Sequence, residues 1–85
     1  MARTKSSFTL ISRDEYIERF LTANPSEHRS DVALRLDAAI AAYEDDRRCS
    51  CGAAIWIVGS AEAGYGCFTC ITGDATPDND YEIDV

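Results

Sequence analysis

The chain has no lysine or arginine after residue 48, no glycine before residue 52, a single histidine, a single tryptophan, and no run of the ~20 apolar residues that span a bilayer. Without such a run, no membrane-crossing helix is expected. Arg13, Asp14 and Glu15 interrupt the N-terminal stretch before a secretory apolar core of adequate length can form, so the expected setting is cytoplasmic. The missing basic residues leave positions 49–85 with six acids and no compensating charge, whereas positions 1–48 carry eight bases against nine acids. A surface of that sign repels phosphate within a Debye length, which argues against nucleic acid as a partner. The lone histidine, His28, stands well before the first cysteine and completes no Ser-His-Asp set. No phosphate-cradling loop or buried carboxylate pair can be read, so no catalytic residue and no enzyme activity are expected.

Eighty-five residues allow one domain, with 1–11 as an N-terminal arm, 12–48 helical, 49–73 rich in cysteine and glycine, and 74–85 an acidic tail or edge strand. A chain of this size buries only roughly 60–65% of the surface its unfolded form exposes, so a cross-link is expected to support its core.

Ser12-Arg-Asp-Glu15 reads as a capping box, in which the Ser12 hydroxyl and the Glu15 carboxylate each satisfy a backbone N–H of the other. A helix is expected from there to about residue 23. Tyr16, Ile17, Phe20 and Leu21 recur at three and four spacing, while Phe8, Leu10 and Ile11 form an apolar lead-in. Asn24-Pro25 ends the pattern and is expected to cap a second helix, with Ser30-Asp31 as the later alternative start. Val32, Leu36, Ala39, Ile40 and Tyr43 form its buried stripe, Asp37 and Glu44 its solvated face, and Arg47 and Arg48 its last turn near residue 46. Two such helices make an antiparallel hairpin.

Beyond Ser50 the chain holds all five glycines, and Ile55-Trp56-Ile57-Val58 is a β-rich run. The stretch from Gly59 to Gly66 reads as a turn leading to a second strand that ends at Cys67, which predicts a small β-hairpin. Tyr81, Ile83 and Val85 alternate with Glu82 and Asp84 as an edge strand pairing with that hairpin would, with disorder as the alternative. Asp78, Asp80, Glu82 and Asp84 lack calcium-loop spacing and read as a solvated tail.

The four cysteines form two close pairs, Cys49-Ser-Cys51-Gly52 and Cys67-Phe-Thr-Cys70, with fifteen residues between the inner two. Two short loops joined by a hairpin deliver two sulfurs apiece to one point, the arrangement a tetrahedral zinc ion needs at ~2.3 Å per ligand. Gly52 lets the chain turn back behind the second sulfur. Residues 48 to 73 resemble the zinc ribbon superfamily, two cysteine knuckles flanking a β-hairpin. The first knuckle departs from the usual spacing by holding one residue rather than two. The segment is also similar to one found in small bacterial proteins, a likeness that brings no activity with it. The superfamily resemblance implies one structural zinc held by the thiolates of Cys49, Cys51, Cys67 and Cys70. Ligand identity alone leaves iron as an alternative, while paired disulfides and a redox-active Cys67-Phe-Thr-Cys70 are the competing chemistries.

Arg47 and Arg48 adjoin the first ligand and could offset part of a tetrathiolate's charge. Phe68 and Ile71 are expected to shield the metal, Trp56 to pack between hairpin and helices, and Tyr65 to be exposed. The expected architecture is α+β: a two-helix hairpin packed on a small zinc-ribbon-like β-hairpin with an acidic strand or tail. The expected function is a protein-interaction or adaptor module whose acidic half meets a basic partner surface. A nucleic-acid-binding ribbon assisted by Arg3 to Lys5, and a thiol-based redox or metal-sensing protein, are the alternatives.

Overall fold

The computed structural model describes residues 8–77 and 80–85, so expectations for the arm Arg3 to Lys5 and for Asp78 lie outside the described residues. The elements are β1 (Thr9–Ile11), α1 (Arg13–Ala23), α2 (Arg29–Glu44), α3 (Ile57–Ala63), α4 (Phe68–Thr72) and β2 (Tyr81–Ile83). The molecule combines helices with a two-stranded sheet, as an α+β reading requires. Among the described residues no helix is long and apolar enough to cross a membrane.

α1 begins where its sequence predicts, with the Ser12 half of the expected capping box formed and the Glu15 half replaced by a bond to Arg19. Ser12 is extended, and its Oγ accepts the Glu15 N–H at 3.1 Å. The Glu15 carboxylate accepts from Arg19 one turn later. At the other end Asn24 closes α1 rather than opening α2: its N–H and its side-chain amide both donate to the Phe20 carbonyl, at 2.8 and 3.0 Å. Because Asn24 is committed to that role, the early start for the second helix fails, and α2 begins at Arg29 with His28 as a cap that makes no side-chain hydrogen bond. The helix also ends at Glu44, before a left-handed Asp46 (φ 60°), so Arg47 and Arg48 lie beyond its last turn.

Tyr16 and Ile17 of α1, Val32, Leu36 and Ala39 of α2, Ile57 and Ala61 of α3, and Ile11 and Ile83 of the strands form one buried cluster. Tyr43, expected on the same stripe, is 39% exposed. Helix α2 packs chiefly against α3, and at ~1.5 Å per residue a seven-residue helix cannot cover a sixteen-residue one.

The predicted β-hairpin is absent. From Ile57 to Ala63 the end of its first strand and most of its turn are α3, residues 64–67, where its second strand is expected to end, form no strand, and α4 starts directly after Cys67. The cause is tertiary: Glu82 Oε2 accepts the Ile57 N–H at 3.1 Å and Oε1 the Val58 N–H at 3.3 Å, satisfying two of the donors that open a helix. With that start supplied, Ile57 and Ala61 fall one turn apart on the buried face, and the local β preference is overridden.

The C-terminal segment is neither a disordered tail nor a partner of that hairpin. β2 runs parallel to β1, with Thr9 opposite Tyr81 and Ile11 opposite Ile83. The Thr9 N–H donates to the Asp80 carbonyl at 2.8 Å, and the Asp84 N–H to that of Ile11 at 2.9 Å. Trp56 is half-buried beside this strand pair, its indole N–H donating to the Tyr81 carbonyl at 2.9 Å and its ring meeting those of Phe8 and Phe68.

Candidate metal centre

The first cysteine pair sits in a tight reversal. Arg48 and Ala54 face each other as an antiparallel bridge, the Cys49 N–H donates to the Ala53 carbonyl at 2.9 Å, and the Gly52 N–H to the Cys49 carbonyl at 2.8 Å. Gly52 takes φ +94°, a region that side chains with Cβ avoid, which explains a glycine directly after the second sulfur.

The second pair opens α4. Cys67 is its N-cap and accepts the Cys70 N–H on Sγ at 3.5 Å, while Gly73 ends it in the left-handed region with its N–H on the Thr69 carbonyl. Two links fix one pair against the other. The Trp56 N–H donates to the Gly66 carbonyl at 2.8 Å, and the Ser60 hydroxyl bonds both the carbonyl and the N–H of Gly66 at 3.2 Å. A Cβ on Gly66 would stand 3.3 Å from Ile71 and 4.0 Å from the Cys49 sulfur, so the chain runs close behind the thiols there.

The four sulfurs of Cys49, Cys51, Cys67 and Cys70 consequently lie within 4.8 Å of one another, and those of Cys51 and Cys67 are 3.6 Å apart. Zinc–sulfur bonds of ~2.3 Å in a tetrahedron require sulfur–sulfur edges of ~3.8 Å, so the cluster has the dimensions of a four-thiolate metal site. All four are free cysteines, and neither pair forms a disulfide. Cys49 and Cys67 are buried, whereas Cys51 and Cys70 face solvent.

Electrostatics within the cluster are uneven. The backbone N–H groups of Cys51 and Cys67 aim at the Cys49 sulfur and pull its pKa down to about 6. The facing sulfurs of Cys49, Cys67 and Cys51 push the Cys70 thiol well above its usual value.

The surroundings depart from expectation in part. Phe68 is buried and Ile71 half-buried, Tyr65 is exposed, and the Arg47 guanidinium lies 4.6 Å over the Tyr65 ring rather than against a sulfur. Arg48 pairs with Asp46 at 2.8 Å. His28 takes no part in the cluster. The polar group that sequence reasoning missed is Glu82: its place between Tyr81 and Ile83 reads as outward, yet the carboxylate is drawn inward by N–H groups 25 and 24 residues away in sequence. Comparisons with protein families, curated proteins and solved structures find no match for this chain. With a pair of helices where a ribbon has its hairpin, the likeness to zinc ribbons rests on the two cysteine pairs alone.

Proposed function

We propose that Cys49, Cys51, Cys67 and Cys70 hold one zinc ion in a structural role, and that the chain is a small protein-interaction module whose acidic surface meets a basic partner. The observation that carries this reading is the convergence of four free thiols, from two segments fifteen residues apart, within 4.8 Å. Four thiolates complete a tetrahedral shell and leave no position for water or substrate, so the metal would hold the fold rather than perform chemistry. Support for a basic partner comes from the net charge of −7 and from the absence of any base among residues 49–85.

Elemental analysis of the purified chain tests the metal. One zinc per chain in a colourless protein is expected. Colour with one iron would change the ion but keep the site, and a metal-free folded chain would overturn it. Association with the partner should weaken as ionic strength rises, and indifference to salt would remove the acidic-surface reading.

The exposure of Cys51 and Cys70 favours one further reading, a thiol-based redox or metal sensor. Thiol labelling separates the two. A structural site reacts only after chelation, whereas a sensor reacts in its metal-bound form.

A further inference from the structure

A cavity of about 360 Å³, within the ~300–1,000 Å³ usual for ligand sites, is bounded by residues 53–56, by the start of α4 with Cys67, and by Glu82 of β2. Phe8, Tyr43, Trp56, Phe68, Pro77 and Glu82 are on its wall, and among the described residues no cationic side chain lines it. Most of the wall comes from residues 49–85, the stretch without a base.

The Glu82 carboxylate is held rigidly. Oε1 accepts from Val58 and Ile83 at 3.3 and 2.9 Å, and Oε2 accepts from Ile57 at 3.1 Å. A carboxylate offers about four acceptor directions, so one on Oε2 remains open. A fixed anion among aromatic rings suits a planar, weakly hydrated cation that can stack and donate at once. That combination describes guanidinium better than ammonium.

We infer that this cavity receives an arginine side chain of a basic partner protein, its guanidinium stacked on the aromatic wall and donating to Glu82 Oε2. The inference rests on the basic-partner reading and narrows it to one residue type at one place.

Trp56 is the only tryptophan and lines the cavity, so its emission reports occupancy. The metal-loaded chain is titrated with a blocked Gly-Gly-Arg-Gly-Gly peptide, with the same peptide carrying lysine or norleucine, and with blocked tetra-arginine. Metal content is measured before and after each titration. A saturable change with the arginine peptide is expected, with lysine weaker and norleucine weaker by about tenfold or more. Glu82→Gln should weaken arginine binding by about tenfold. Because Glu82 also starts α3, Tyr43→Ala serves as a second variant that alters only an exposed ring, with an expected loss of about threefold.

No saturable change, equal binding of norleucine or lysine, or wild-type affinity in both variants would overturn the assignment. Tetra-arginine bound equally by wild type and both variants, without the arginine peptide, would sink the cavity and leave the acidic surface standing. If no basic peptide binds while the metal stays in place, both fall and the metal site survives.

Discussion

At Glu82, burial pushes the carboxyl above its ordinary range, while the N–H groups of Ile83, Ile57 and Val58 pull the other way with smaller effect. A carboxyl whose folded pKa is raised contributes most below its ordinary value of 4.5, and that contribution is lost as pH rises through the folded value. Wild type should therefore lose stability relative to Glu82→Gln as pH rises from 4.5. Denaturant titrations across pH measure the difference, in which the shared thiols cancel, and a flat difference would contradict the burial argument. Gly59 makes a second single-residue test. A Cβ there would stand 2.3 Å from Trp56 Cε3 and 2.7 Å from Cζ3, against a ring anchored through its N–H to the Tyr81 carbonyl. Gly59→Ala should cost about 1–3 kcal/mol and shift Trp56 emission. Unchanged emission would show that the ring has room. At this scale the sequence is legible where partners are near neighbours, as at the Ser12 cap and the cysteine pairs. It is illegible at Glu82, whose partners are brought together only by the fold.

Helix α1 follows from its Ser12 cap and apolar spacing, and α2 from apolar spacing alone, since its His28 cap makes no side-chain hydrogen bond. The segment 57–63 carries a β-rich opening and several small residues, so its helix depends on acceptors contributed by β2 and on the burial of Ile57 and Ala61 against α2. That dependence is testable. Ile83 is buried in the shared core, and Ile83→Ala should cost about 2–4 kcal/mol. If β2 holds α3 in place, amide exchange at Ile57 and Val58 should accelerate in this variant more than exchange within α1. Equal acceleration throughout would mean that α3 does not rely on β2 locally. The boundary between α1 and α2 teaches the same lesson. Asn24 can cap either helix, and its bonds to the Phe20 carbonyl decide for α1.

Across the whole molecule, β1 and β2 tie the two described ends of the chain together, and the thiol cluster ties the residue 48–54 reversal to α4. Without metal, four crowded thiols give little in return for that closure. Binding free energies of order 10–16 kcal/mol for structural zinc exceed the stability a domain of this size has to spare. Chelation should therefore unravel residues 49–73 first, seen as loss of Trp56 anisotropy together with the share of the helical signal that α3 and α4 supply while that of α1 and α2 persists, whereas loss of the whole helical signal in one step would show one cooperative unit. The cysteine pairs announced this centre in the sequence, while its scaffold of two short helices was hidden because glycine and β-branched residues suit a hairpin equally well.

The central claim is that four cysteine sulfurs surround one zinc ion. Zinc-edge X-ray absorption of the purified chain tests it most directly. The account predicts a single shell of about four sulfurs near ~2.3 Å. A shell containing nitrogen or oxygen, or no bound zinc in a folded chain, would contradict it.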